Sequence, residues 1–246
     1  MNQVDFIIGG MGRSGTSALY RYLEDNSEVG LPDLKGKNDD LDFFLNDSNF
    51  MNIEPIRYKL HGFFKDKGKK SYGICDPHLT YWESCLPRVL KYNHLMRIIL
   101  LLRNPIERAY SQWNLYKSAY RERLSFMEAL LFEDLRAKGR HIIFSYVDRG
   151  FYSEQIRRLF RFFPREQCLI MKSTTLANDP QKCLNDVCDF INVKKMKIKK
   201  NYGIVGSVNR HRAMLSKEKD YLKHIYYYDI KQLERMLGWN CEEWLI

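Results

Sequence analysis

The chain has 246 residues, 45% of them hydrophobic, which is apolar material for one sizeable core and fits a single domain spanning 1–246. Lys and Arg number 40 against 30 Asp and Glu, a formal charge of +10. Such a surface suits anionic partners without choosing among nucleotides, acidic polysaccharides and nucleic acid. The longest aliphatic run, Ile98 to Leu102, is far short of the roughly 20 residues a membrane span needs.

The start "MNQVDFIIGG" carries neither a basic leader nor a long apolar segment, so the expectation is a soluble, unsecreted, cytoplasmic protein without a membrane span. No zinc-finger spacing, aromatic RNA-binding strand or basic zipper is present, and nucleic acid is not an expected partner. The six cysteines form no C-x-x-C pair and read as reduced core thiols.

In chain order, "VDFIIGG" (4–10) predicts a strand that runs into a glycine-rich turn, followed by a helix from about Ser17 to Asp25. Residues 29–70 form a long, polar, irregular connection of the kind that is often functional. "SYGICD" (71–76) predicts a second strand, stopped by Pro77. "RIILLLR" (97–103) is the clearest buried strand, a continuous apolar run expected where both faces of a parallel sheet are covered.

Next comes "NPIERAYSQW". Asn104 has the chemistry of an N-cap, Pro105 takes the first helical position, and Glu107 follows three after the cap. Ile106, Ala109, Tyr110 and Trp113 share an apolar stripe, with Asn104, Arg108 and Ser111 opposite. A further strand is predicted at 167–172, a helix after Asn178-Asp179-Pro180, and a helical segment at 216–244 with Gly238 as a stop. Short apolar runs alternating with amphipathic helices give an α/β class; with the glycine loop they give a P-loop-like three-layer fold, a central, mostly parallel sheet flanked by helices.

The turn "GGMGRSGTS" has Gly10 and Gly15 at the spacing of a phosphate-binding loop and Ser17 at its hydroxyl position, but Thr16 stands where a triphosphatase has lysine. Strand, glycine turn and helix make an anion site from backbone N–H groups and the helix dipole. Gly12 and Gly15 permit close approach; Ser14, Thr16 and Ser17 add hydroxyls, and Arg13 adds a cation. The clearest buried strand does not end in an aspartate suited to magnesium. Strand 97–102 is followed instead by Arg103, a cation at the carboxyl end of a parallel strand, where open α/β sheets bind ligands. Arg103 with Ser111 suits a second phosphate.

"GGMGRSGTSALYRYL" together with "LLRNPIERAYSQW" resembles the PAPS-dependent sulfotransferase family. Weaker likeness runs through "GFYSEQIRRLFRFF" to the closing "LERMLGWNCEEWL". The R-S-G-T loop and the insertion before Pro77 are nearer the carbohydrate and tyrosylprotein members than the cytosolic small-phenol ones. The resemblance implies a metal-free enzyme with PAPS as donor and PAP as product. It implies that Gly12, Arg13, Ser14, Gly15, Thr16 and Ser17 hold the 5′-phosphosulfate, that Arg13 stabilises the departing phosphate, and that Arg103 and Ser111 hold the 3′-phosphate. Arg210 and Arg212 lie where members carry a basic loop over the cofactor.

For the base, carbohydrate members place a glutamate three residues before a Phe-Phe pair. In "KGKNDDLDFFL" that place before Phe43-Phe44 is Asp40, with Asp39, Asp42, His78 and His61 as competitors. Two departures from the pattern concern the acceptor side: Cys75 replaces a lysine before Asp76-Pro77, and the usual glutamate near "LIMKSTTL" is missing. The expected acceptor is a carbohydrate hydroxyl, an anionic glycan included; a lipid, a small metabolite or a peptide tyrosine remains open. The rival readings are an atypical P-loop kinase and a catalytically inactive module that binds PAP or anionic glycan.

Overall fold

The computed structural model describes residues 3–32, 41–50, 56–65, 68–138, 143–203 and 212–246. Five strands are described: β1 (Phe6–Gly10), β2 (Val29–Gly30), β3 (Ser71–Cys75), β4 (Arg97–Leu102) and β5 (Cys168–Lys172). The α-helices are α1 (Thr16–Glu24), α2 (Ile56–His61), α3 (Cys85–Tyr92), α4 (Pro105–Ser118), α5 (Phe126–Leu131), α6 (Glu133–Ala137), α7 (Tyr152–Phe162), α8 (Ser173–Asn178), α9 (Pro180–Phe190) and α10 (Ser216–Leu237). The chain divides into two compact units, Met1–Leu102 with Arg158–Val205, and Arg103–Arg157 with Gly206–Ile246.

The first unit holds the whole sheet. Its order is β2-β3-β1-β4-β5 and every described pairing is parallel. The sequence explains why: β1 and β4 are apolar at every central position, so each can be covered on both faces. Side chains alternate across a strand. Phe6, Ile8, Ile99 and Leu101 therefore join α1 and α9 in one core, through Leu19, Leu23, Leu184 and Val187. Ile7, Ile74, Ile98 and Leu100 fall on the alternate positions and are also fully buried.

Register is set by size. Phe6 pairs with Gly73, and a Cβ built on Gly73 would stand 2.1 Å from the Phe6 ring. Only glycine leaves that ring its place. The predicted strands appear within a residue or two of their expected bounds. The two-residue β2 was not anticipated, because it is too short to show a period and borrows its pairing from Ser71 and Tyr72. The six cysteines form no disulfide, and burial pushes the Cys183 thiol up to about 12.

In the second unit, Asn104 caps α4 by accepting the Ile106 amide at 3.0 Å. Two expectations are corrected here. Glu107 does not close a capping box; its carboxylate takes the Arg103 guanidinium instead, at 3.2 and 3.0 Å. Arg108, placed on the polar face by the sequence, is 1% exposed. It donates to Gln112 at 2.6 Å and to the Tyr146 carbonyl. A helix covered on all sides hides a charge where hydrogen bonds can replace its water. Glu133 anchors the following turn, accepting the amides of Tyr146, Val147 and Asp148 at 2.7, 2.6 and 2.8 Å. Helix α10 ends at Leu237, at the expected stop, where Gly238 turns left-handed at φ 67°.

Candidate functional site

In the first unit, β1 opens into residues 10–15 and then α1. Arg13 and Gly15 have φ of 73° and 98°. Such left-handed positions within a turn direct successive amides toward one point and make an anion-binding concavity. Gly15 is the N-cap of α1 and supplies no side-chain cap, so the first amides of the helix need an external acceptor. The turn is braced by Met11 N–H donating to the Leu101 carbonyl at 2.8 Å and by Ser14 N–H donating to the Met11 carbonyl at 3.0 Å.

The hydroxyls are arranged unequally. Ser14 is 2% exposed, and its Oγ has no hydrogen-bond partner among the described residues. Thr16 is buried and Ser17 half-buried. A buried hydroxyl without a partner is costly, and at a turn built for an anion it marks a place for an acceptor. This passes the test of fit for a phosphosulfate: an uncapped helix start, a concave run of amides and an orphaned donor meet in six residues.

The exit of β3 packs against this loop. The Asp76 amide donates to the Ile8 carbonyl at 2.9 Å, and Thr80 Oγ1 lies 3.5 Å from Met11 Sδ. Leu41 N–H donates to the Cys75 carbonyl at 3.0 Å, which ties the acidic stretch to the same exit. Asp40 and Asp39 lie outside the described residues. Asp42 is described, with Oδ1 4.0 Å from Nε2 of the buried His78. Phe43 and Phe44 are both buried, 5.4 Å apart in edge-on packing. They seat the acidic stretch on the core. His61 stands elsewhere, 3.2 Å from the Tyr92 hydroxyl.

Arg103, Ser111 and Arg212 belong to the second unit. Glu107 and Ser111 are four residues apart on one face of α4, and Arg103, just before the helix, reaches Glu107 with its side chain. The Arg103 carbonyl accepts the Tyr152 hydroxyl at 3.0 Å, and its guanidinium is paired with Glu107. Ser111 is half-buried. Arg210 lies outside the described residues. Arg212 makes a two-pronged contact with the buried Glu218 and stacks 5.5 Å from the Trp113 ring. The fully buried Asp76 and the Glu218 partner of Arg212 had no signal in the sequence beyond their charge.

Among the described residues, no cluster of three or more His, Cys, Asp or Glu side chains is placed to hold a metal, and no helix is long and apolar enough to cross a membrane. The profile of the sulfotransferase domain family matches residues 3–228. The chain belongs to that family and is a sulfotransferase. Its fold is shared with a sulfotransferase from Alicyclobacillus acidocaldarius at 22% identity and TM-score 0.84, covering 99% of each chain. The sulfotransferase domain from the curacin biosynthetic pathway matches at 12% and 0.55, over 98% of this chain and 99% of that one. Mouse sulfotransferase SULT7A1, solved with PAP, matches at 15% and 0.57, over 96% and 88%. No curated protein matches the chain in sequence.

Proposed function

We propose that this sulfotransferase moves the sulfuryl group of PAPS to a carbohydrate hydroxyl by in-line displacement, within a single functional domain. The observation that carries the donor assignment is the loop: an uncapped α1 start beside a buried, unpartnered Ser14 hydroxyl. PAPS supplies a sulfuryl group on a phosphate leaving group. The residues Gly12 to Ser17 bind and orient the 5′-phosphosulfate through amides and hydroxyls. Arg13 meets the negative charge that grows on the bridging oxygen, where a preorganised cation is worth most. Arg103 and Ser111 hold the 3′-phosphate, which ATP lacks, and Arg210 with Arg212 adds positive charge over the donor.

Asp40 takes the proton of the acceptor hydroxyl, a role that needs hydrogen-bond reach. A second reading has its own observation. Asp42 and His78 stand 4.0 Å apart beside the β3 exit that packs on the loop, so His78 oriented by Asp42 is an alternative proton acceptor. The carbohydrate acceptor is supported by the long polar connection before β3 and by the charge of +10, which suits an anionic glycan.

Calorimetry with PAP, ATP and AMP tests the donor. Tight binding of PAP with weak binding of the other two is expected; equal or absent binding sinks the assignment. A panel of sugars, lipids and tyrosyl peptides with labelled PAPS tests the acceptor, and label entering only a non-sugar overturns it.

A further inference from the structure

The second unit carries a surface that holds none of the proposed site residues. Tyr120 is 94% exposed, Leu131 56%, Phe132 46% and Leu135 74%. Four large apolar side chains are thus exposed within sixteen residues, and exposed apolar surface of this kind marks interaction sites. Leu131 and Leu135 are one helical turn apart, at the end of α5 and within α6. Tyr120 is left-handed at φ 56° in the turn that closes α4.

Beside them lies a cleft of about 560 Å³ with an apolar lining from Leu124, Phe132, Leu135 and Phe144. Arg121 and Arg123 line the same cleft, and the exposed Tyr120 precedes them in the chain. The wall is rigid: Arg136 forks onto the buried Glu122 at 2.9 and 3.0 Å and stacks 4.2 Å from the Phe144 ring. That pair is neutral. The other charges of segment 117–138 are the cations Lys117, Arg121, Arg123 and Lys138 and the carboxylates of Glu128, Asp134 and the buried Glu133. Glu128 is held by the Ser125 amide and hydroxyl at 2.8 and 2.6 Å. The surplus is positive, in a chain of charge +10.

We infer that this face is a docking surface for an anionic lipid bilayer. Tyr120, Phe132 and Leu135 enter the headgroup boundary while Arg121, Arg123 and Lys138 meet lipid phosphates and carboxylates. Protruding apolar tips among long cationic side chains are what an interfacial contact requires. A two-fold contact with a second copy would set the same arginines against each other.

The test is co-sedimentation of the full chain with vesicles of phosphatidylcholine, with and without phosphatidylserine. Wild type is expected to sediment with the mixed vesicles, less so at high salt, and to stay free of the neutral ones. Phe132→Ser with Leu135→Ser should weaken binding at least about tenfold, and Arg121→Glu with Arg123→Glu comparably. Thermal unfolding and PAP affinity should be unchanged in both variants, since all four residues are at the surface. Failure of wild type to sediment, equal affinity for neutral vesicles, or unaltered binding by both variants would overturn the inference. Self-association that the Phe132→Ser, Leu135→Ser variant loses, without vesicle binding, would assign the face to a second copy instead.

Discussion

Ser14→Ala separates what the loop needs for folding from what it needs for binding. The Ser14 side chain is 2% exposed and its hydroxyl is unpartnered among the described residues. Burying a hydroxyl without a hydrogen bond costs about 1–3 kcal/mol by mutational measures. Alanine removes one oxygen and returns most of that cost, less a small loss of packing. The free protein should therefore be more stable by about 0.5–2 kcal/mol, read as a higher urea midpoint at unchanged m-value. A hydrogen bond to a charged phosphosulfate contributes about 1.5–3 kcal/mol, so PAP should bind roughly 10- to 100-fold more weakly by calorimetry. The two effects have opposite signs. A destabilised variant would mean that the hydroxyl is bonded in the free protein. A stabilised variant with unaltered PAP affinity would mean that it faces away from the ligand.

Arg103→Ala should cost PAP affinity about 2–5 kcal/mol, the range for losing one partner of a desolvated charge pair, and calorimetry against AMP should show the loss confined to ligands with a 3′-phosphate. Asp40→Asn should abolish transfer of labelled sulfate and leave PAP binding within about twofold; full turnover would hand the proton to His78 and Asp42. Glu122→Ala should lower stability by about 3 kcal/mol by stranding Arg136, measured by urea unfolding. Burial pushes the Glu122 carboxyl up, but the Arg136 fork, the Leu124 amide and the Tyr146 hydroxyl outweigh it and hold the group below its ordinary value. Its contribution is thus full above the unfolded value of 4.5 and is lost as pH falls through the lower folded value. Acid sensitivity of the urea midpoint should be blunted in Glu122→Gln.

The sequence made the first unit readable because its signals are local. The unbroken apolar run of β4 is short enough for a buried strand, and β1, β3 and β5 follow from short segments bounded by turn signals. The loop was visible because glycine spacing, hydroxyls and Arg13 lie in one stretch. The second unit was harder. Arg108 looked like a surface cation because nothing local says that Gln112 and the Tyr146 carbonyl will receive it. Glu107 looked like part of a cap until Arg103 drew it away. The pairing of Arg212 with Glu218 depends on where α10 begins. The Asp42–His78 proximity joins residues 36 apart through the Leu41–Cys75 hydrogen bond, which no period or spacing encodes.

The Phe6 ring over Gly73 has a bearing on the reaction. It acts as a key for the height of the strands. Sliding β1 along β3 by one pleat would drive the ring against a side chain, so one register is permitted. That register sets how far the loop at the end of β1 rises beside the Asp76–Thr80 exit of β3. A glycine in the middle of β3 thereby fixes how the anion cradle at the end of β1 stands beside the exit of β3.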